Sequence, residues 1–364
     1  RSPVHALPQL DQLLKLAEAP QQRTAQLAGQ ALQDLWRADL LPPGRRLRAF
    51  RAKPYPDPGW AGPALALRAF EDGLRERYGR FLKALRGHLG HTVAAFKRWA
   101  LGAAAELLGA HPEREGELLA MLVNKLGDPE RRAAAAGAHR LRELLRAHPG
   151  MKGVVAREVQ QFLHRPNLQP RAVHAAIAFL NQMYFTKEDG ELVSKLVSTY
   201  LTLFERSVKR LEEAQEAEKH AAARPGKNKK GKKKKKKGKP TPAAAAAEGA
   251  GAVEARLLSA LLSGVHRAHP YLPQDFAEGR LAGHLGALLR TARHPNHRLA
   301  VQALLLLHQM VAGRPASDPV AAKFRAALRA RLAHPQLHAA GRPLLLLNLV
   351  YRAARADPDP GDLL

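Results

Sequence analysis

The sequence contains no cysteine among its 364 residues. Disulfide bonds, thiolate metal ligands and cysteine nucleophiles are therefore excluded. Aromatic residues make up only 5% of the chain, and none lies within its most basic segment, so that segment does not favour recognition of single strands by stacking. The longest apolar runs, Leu304–Leu307 and Leu344–Leu347, are far shorter than the roughly 20 residues of a membrane-spanning helix. We expect no membrane partner.

The motifs that usually accompany catalysis are also missing. The sequence has no phosphate-binding Gly-x-x-x-x-Gly-Lys-Ser/Thr loop, no Gly-x-Gly-x-x-Gly fingerprint, no Gly-x-Ser-x-Gly elbow and no His-Glu-x-x-His motif. Histidine is plentiful, with 17 copies, but pairs at helical spacing such as His88 and His91 lack a third ligand nearby. We therefore expect no enzyme, no cofactor, no metal and no small-molecule substrate.

Positive charge is abundant, with a net charge of +27 at neutral pH. The segment from Arg224 to Lys239 supplies eleven basic residues and no acid, which leaves 27 − 11, or +16, for the rest of the chain. A chain that is basic both inside and outside one segment is suited to polyanions, above all nucleic acid. The lysines of this segment are candidates for nucleic-acid binding or nuclear import; the alternative is that the segment is only a solubilising linker. They are Lys227, Lys229, Lys230, Lys232, Lys233, Lys234, Lys235, Lys236, Lys237 and Lys239.

Helical spacing dominates the apolar pattern. Between Leu192 and Phe204, for example, apolar residues recur every three or four positions. Alternating strand patterns are missing, and five His-Pro pairs are placed as helix ends, where proline stops propagation. The pattern predicts an all-α protein.

One construction repeats along the chain: an apolar helix, a short turn rich in Asp, Pro or Asn, an arginine and a second apolar helix. The three copies restart at Arg131, Arg171 and Arg298. Small or apolar residues then recur at matching offsets, as in Ala176 and Ala303. Repeats of this kind predict a HEAT-like or armadillo-like helical-repeat solenoid, which suits a scaffold. Because the three arginines open equivalent helices, we interpret them as structural, with contact to RNA as the alternative.

Composition also predicts the division of the chain. Residues 1–60 should hold a helix and an irregular arm with Trp36 and Phe50 as anchors, and residues 61–215 the first helical repeats. Residues 216–251, rich in Lys and Ala, should be a disordered insertion, since they cannot bury enough apolar surface to offset their ordering entropy. Residues 252–357 should form further repeats, followed by a tail at 358–364. Because the chain starts with Arg1, we also expect it to be a fragment of a longer protein.

Several stretches carry a resemblance to a known family. The segment Val123–Pro129, which includes Asn124, Lys125, Leu126, Gly127, Asp128 and Pro129, resembles the CCAAT-binding-factor family in its nucleolar complex protein 1 branch. So do His148–Val155, Phe179–Met183, Arg256–Val265 and Leu347–Ala353, the last of which contains Asn348 and Tyr351. These matches occur in order over most of the chain. We interpret the signature residues as structural.

The resemblance implies a non-catalytic assembly factor of the large ribosomal subunit, located in the nucleus and nucleolus. Its implied partners are pre-rRNA, a second nucleolar complex protein and other proteins of the pre-ribosomal particle. Two alternatives remain open. One is a transcription factor that binds CCAAT promoters, and the other is a helical-repeat adaptor or transport factor without RNA contact.

Overall fold

The computed structural model describes residues 3–53, 61–223, 242–273, 276, 279, 283–312, 318–333 and 343–356. Within these ranges the chain is helical and contains no strand. The all-α prediction is confirmed. The chain divides into two compact units, Arg1–Pro166 and Asn167–Leu364, which we call unit 1 and unit 2. This boundary lies inside the range 61–215 that composition suggests as one set of repeats.

Unit 1 is a series of helices that pack on their near neighbours in sequence. Helix α4 contacts α3, α5 and α6, while α5 contacts α6 and α7. Contacts limited to the next helix and the one after it are typical of stacked helix pairs, so the HEAT-like prediction is confirmed here. The helices are α1 (Leu7–Ala17), α2 (Gln22–Leu35), α3 (Ala61–Leu89), α4 (Ala94–Ala110), α5 (Glu115–Asn124), α6 (Arg131–Ala147) and α7 (Lys152–Leu163).

Unit 2 is built in the same way around two long helices. Helices α9 and α10 pack along one another, α10 also contacts α8 and α12, and α12 contacts α11, α13 and α14. The helices are α8 (Pro170–Leu180), α9 (Gly190–Ala223), α10 (Pro242–Ala268), α11 (Leu285–Ala292), α12 (His297–Val311), α13 (Pro319–Leu332) and α14 (Pro343–Ala356).

The repeated helix positions inferred from the sequence are equivalent in the structure. In each of the three copies, the residues five, nine and twelve places after the arginine are buried, where the first copy is counted from Arg132. These positions lie in α6, in α8 and the turn that follows it, and in α12. Burial at these offsets follows from helical geometry, because the offsets differ by four and three and residues three or four apart return to one face. The nine residues are Gly137, Leu141, Leu144, Ala176, Leu180, Met183, Ala303, Leu307 and Met310.

The N-terminal part differs from the expectation of one helix. Two helices, α1 and α2, precede the arm, because Leu10, Leu14 and Ala17 form a second apolar stripe that packs on α2 and α3. Trp36 is fully buried, as expected of an anchor, but Phe50 is 42% exposed and is not one.

The arm is attached to the helices by polar contacts, and not by the aromatic side chain of Phe50. Arg45 donates to both carboxylate oxygens of Glu71. The backbone N–H groups of Leu47 and Arg48 donate to Glu113 and Glu71, respectively. The carboxylates of Glu71 and Glu113 are buried, and the hydrogen bonds that they accept hold the arm in place.

Candidate nucleic-acid interface

The lysines predicted to meet nucleic acid, Lys227 to Lys239, lie outside the described residues. Helix α9 continues to Ala223 and α10 begins at Pro242, so helix enters both ends of the range 216–251 that composition suggests as disordered. The helix-favouring residues Ala, Glu and Lys at these ends explain the extension. The role of the lysines remains a prediction.

The family signature forms the turn between α5 and α6, and its two charged residues pair in a mostly buried position. The Lys125 ammonium donates to Asp128 Oδ2 at 2.6 Å and also to the carbonyl oxygen of Leu89. Leu89 is the last residue of α3, so the cation also meets the negative end of that helix. The side chain of Asp128 is only 4% exposed. The signature therefore joins three helices of unit 1.

Further groups surround the Asp128 carboxylate. Its Oδ1 accepts the backbone N–H of Glu130 at 2.9 Å and lies 3.6 Å from Lys97 Nζ. Burial alone would raise the pKa of Asp128, but the hydrogen bonds from Lys125 and Glu130, together with the positive charges of Lys125 and Lys97, outweigh burial and hold the pKa below its ordinary value. The carboxylate is thus ionised at neutral pH and serves as a structural charge.

Two other signature residues of this turn are buried in the core or form a hydrogen bond to a neighbouring segment. Leu126 is buried, and Asn124 Oδ1 accepts a hydrogen bond from Arg165 at the end of unit 1. A Cβ at Gly137 of α6 would lie 3.0 Å from Lys125 Cβ, so α6 approaches the turn closely. These contacts agree with a structural role for the segment.

The three arginines that open the repeated helices are all exposed. Within the described ranges, no hydrogen bond or ion pair involves the side chain of Arg131, Arg171 or Arg298. In the third copy, Asn296 caps the helix by accepting the N–H groups of Arg298 and Leu299. The arginine side chains are therefore available for contact with another molecule.

In unit 2, α8, α9 and α10 meet at a small polar junction. Asn181 donates from Nδ2 to the Ala260 carbonyl at 2.8 Å and accepts from the Tyr200 hydroxyl at 2.9 Å. Gly264 of α10 faces both side chains, and a Cβ there would lie 2.5 Å from Tyr200 Cε2. The missing side chain allows α10 to approach this junction.

An open groove of about 660 Å³ runs beside this junction, bordered by α8, α10 and the start of α12. Arg256 and Arg298 line it and are exposed. Partial desolvation, and secondarily the positive charge of Arg256, lower the pKa of His174, so this histidine is neutral at pH 7. The lining residues that the structure describes include no Asp or Glu; they are His174, Ala178, Asn181, Gln182, Ala252, Ala255, Arg256, Ser259, Ala260, Ser263, Asn296, Arg298 and Leu299.

The repeat in the sequence identifies Arg298, whereas Arg256 was not predicted as a site residue. The available signal was the spacing of Arg256, Ser259 and Ser263, which places three polar residues on one side of α10 opposite its leucines. Which helices face this side of α10 is a tertiary fact that the spacing does not contain.

The last helix, α14, carries signature residues on an exposed face. Asn348 is exposed and Tyr351 is 66% exposed, next to Leu344 and Leu347 on the same side. Leu346, Leu349 and Ala353 form the buried side of this helix. Asn348 and Tyr351 thus lie where a partner can reach them.

Two further findings concern the described part of the chain. No cluster of three or more His, Asp or Glu residues suited to a metal ion occurs there. None of its helices combines the length and the apolar composition needed to cross a membrane.

The stacked helix pairs define a helical-repeat protein of the HEAT-like class. Comparison with known proteins narrows this class, although no family model matches the chain. Human CCAAT/enhancer-binding protein zeta is 31% identical over 97% of this chain and 30% of its own length. Ribosome biogenesis protein NOC1 of Chaetomium thermophilum is 30% identical over 98% of this chain and 35% of its own length.

A third relative, Nucleolar complex protein 1 of Drosophila melanogaster, is 36% identical over 48% of this chain and 16% of its own length. The chain belongs to the CCAAT-binding-factor family, as its signature predicts, and it spans about a third of the length of the first two relatives. Among solved structures, Kap121p in its complex with Pho4p covers 96% of this chain and 38% of its own, with 14% identity and a TM-score of 0.38.

Proposed function

We propose that this chain is part of a non-catalytic assembly factor of the large ribosomal subunit that acts in the nucleolus. The observation that carries the proposal is similarity over 97–98% of the chain to proteins that include one named for ribosome biogenesis. In this proposal the helical repeats form a scaffold that holds pre-rRNA and a second nucleolar complex protein within the pre-ribosomal particle. The name of the Drosophila relative, Nucleolar complex protein 1, supports both the location and the protein partner.

Electrostatics supports the RNA part of the proposal. The net charge is +27, and the lysines between Lys227 and Lys239 bring ten cations into thirteen residues. Each phosphate neutralised by such a cation releases a counterion and strengthens binding to a polyanion. The lysine segment attracts RNA without sequence preference in this account, while the helical units fix the position of the bound strand.

A second candidate function follows from the name CCAAT/enhancer-binding protein, which the human relative carries. Binding to a specific promoter requires side chains that reach base edges in a groove of DNA. Two exposed arginines of unit 2, Arg256 and Arg298, line a concave groove, an arrangement that favours contact with a backbone. Pre-rRNA is therefore the first candidate and promoter DNA the second.

Sedimentation of nuclear extracts tests the proposal. Cells would express the tagged chain, or a variant in which Lys227–Lys239 is replaced by an equally long Gly/Ser segment. We expect the chain to cosediment with large-subunit precursors, to accumulate in nucleoli and to be released by RNase. The Gly/Ser variant should lose much of this association because it lacks ten cations.

The outcomes separate the candidates. Sedimentation free of ribosomal precursors would contradict the assembly role. Release by DNase and not by RNase would favour promoter DNA. An unchanged nucleolar signal and particle association in the Gly/Ser variant would show that the lysine segment is only a linker.

A further inference from the structure

We infer that the groove bordered by α8, α10 and α12 binds the phosphate backbone of RNA, and that Arg256 and Arg298 supply the phosphate contacts. This inference rests on the proposed function, to which it adds a specific site. Three observations support it: the polar and cationic side chains of the lining, the absence of an acidic residue from the described lining, and the repeat that puts an arginine at the start of both α8 and α12.

The residues that line the groove include several hydrogen-bond donors. Arg256 and Arg298 are exposed cations, and Ser259 and Asn296 add polar side chains at the border of the groove. Arginine binds phosphate through paired N–H groups, and amide or hydroxyl side chains are common partners of phosphate and sugar oxygens. Small alanine side chains also line the groove, so a backbone can approach closely.

Arg256 and Arg298 have no acidic partner among the residues of unit 2 that the structure describes. Among the described residues, no carboxylate lines the groove, and neither Arg256 nor Arg298 forms an ion pair. By contrast, Arg290 and Arg210 of the same unit pair with Glu212 and Glu254. A groove whose described lining carries cations and no acid concentrates positive potential and attracts a polyanion.

The repeat adds a third exposed arginine, Arg171, at the start of α8. Arg171 occupies in α8 the place that Arg298 occupies in α12, and it is also exposed. It lies three residues before His174, which puts it on the side of α8 that borders the groove. A strand that contacts Arg256 and Arg298 can therefore continue past Arg171.

The lining favours RNA over an acidic protein segment. Protein partners are usually anchored by large side chains in apolar pockets. Among the described residues of the lining, the only large apolar side chain is Leu299, which is 1% exposed and offers little surface. A ligand held by charge and hydrogen bonds, without an apolar anchor, is what a nucleic-acid backbone provides.

Titrations of the full chain with a single-stranded oligouridine RNA at several salt concentrations test the inference. The variant Arg256→Gln/Arg298→Gln should bind more weakly and lower the slope of log K against log salt by about 1.4, since each single-strand phosphate contact contributes about 0.7. The control Arg206→Gln/Arg355→Gln removes two exposed arginines of unit 2 that do not line the groove. Its loss of slope should be much smaller.

Crosslinking gives a second readout that does not depend on charge. Because the chain has no cysteine, Ser259→Cys creates a single attachment point in the groove for a photoreactive probe. The control Thr202→Cys places the probe on the exposed side of α9. We expect RNA adducts from the probe in the groove and few from the probe on α9, with unchanged circular dichroism for both proteins.

Each remaining outcome overturns one part of the account. If the chain binds RNA but the groove variant matches its control and the groove probe yields no adduct, the inference is wrong and the proposed function stands. If the unmodified chain fails to bind RNA, the RNA part of the proposed function fails as well. If polyglutamate, and not RNA, protects the groove probe, the occupant is an acidic protein segment and the inference is overturned.

Discussion

At the scale of single residues, Asp128 shows how a signature residue acts without touching a ligand. Its carboxylate is almost fully buried and accepts hydrogen bonds from Lys125 and from the backbone of Glu130, with Lys97 also nearby. A buried carboxylate in such surroundings stabilises the fold only while it is charged and its partners stay in place.

The lowered pKa of Asp128 gives a pH dependence of known sign. A carboxyl group whose pKa is lower in the folded state contributes stability above its unfolded pKa of about 3.9, and loses it as the pH falls through the folded value. We expect Asp128→Asn to lower the free energy of unfolding at pH 7 by about 3 kcal/mol, because it leaves a mostly buried lysine unpaired. The unmodified chain should lose this advantage below about pH 4.

Urea unfolding followed by circular dichroism from pH 7 to pH 3 measures both effects. Asp34→Asn is the matched control, since Asp34 is exposed. If the Asp128 and Asp34 variants have the same stability at pH 7, Asp128 does not have the structural role described here.

At the scale of elements, the close approach of α10 to α8 and α9 depends on Gly264. A methyl group there would lie 2.5 Å from Tyr200 Cε2, where ordinary carbon contacts are about 3.5–4.0 Å. The same methyl group would also meet Asn181 Oδ1, which belongs to the side chain that joins α8 to α10 through the Ala260 carbonyl.

We expect Gly264→Ala to destabilise unit 2 by about 1–3 kcal/mol through overpacking, although alanine favours helix over glycine by about 1 kcal/mol. Gly286→Ala on α11 is the control, because the nearest atom to its methyl group is Arg290 Nη1 at 3.8 Å. Chemical unfolding should show a loss for the Gly264 variant and no loss for the Gly286 variant. Equal stability of the two proteins would contradict the close packing of α10.

The elements also show what the sequence could predict. Helical spacing identified the all-α class and the repeated buried positions, such as Leu141, Leu180 and Leu307, because burial on one face is a local property of a helix. The signature segment predicted the family because its residues are contiguous in the chain. The ionic cluster of Lys125 and Asp128 was not predicted, because it depends on the distant Leu89 carbonyl and Lys97.

The candidate groove was only partly predictable. Arg298 was identified through the repeat, but Arg256 lies far from it in the sequence and shares the groove only because α10 and α12 pack together. The anchor predicted at Phe50 was wrong because the arm is held by the ion pair of Arg45 with Glu71 and by the buried Leu47, and not by an aromatic side chain. Charge pairs of this kind leave no periodic pattern in a sequence.

At the scale of the whole molecule, the residues that stabilise the fold differ from those proposed to bind a ligand. Apolar stripes and the signature turn build the two helical units, while the excess of positive charge, +27 overall, is left for a polyanion. In the proposed function, the charge attracts RNA from a distance, and the groove of unit 2 holds the strand at close range. Because the chain spans about a third of its relatives, these roles concern one part of a longer scaffold.

The most direct test of the central claim is crosslinking of the chain to nucleic acid in living cells, followed by sequencing of the attached fragments. The account predicts enrichment on precursor RNA of the large ribosomal subunit, with fewer crosslinks when Arg256 and Arg298 are both replaced by glutamine. Enrichment on promoter DNA, or no nucleic acid above background, would contradict it.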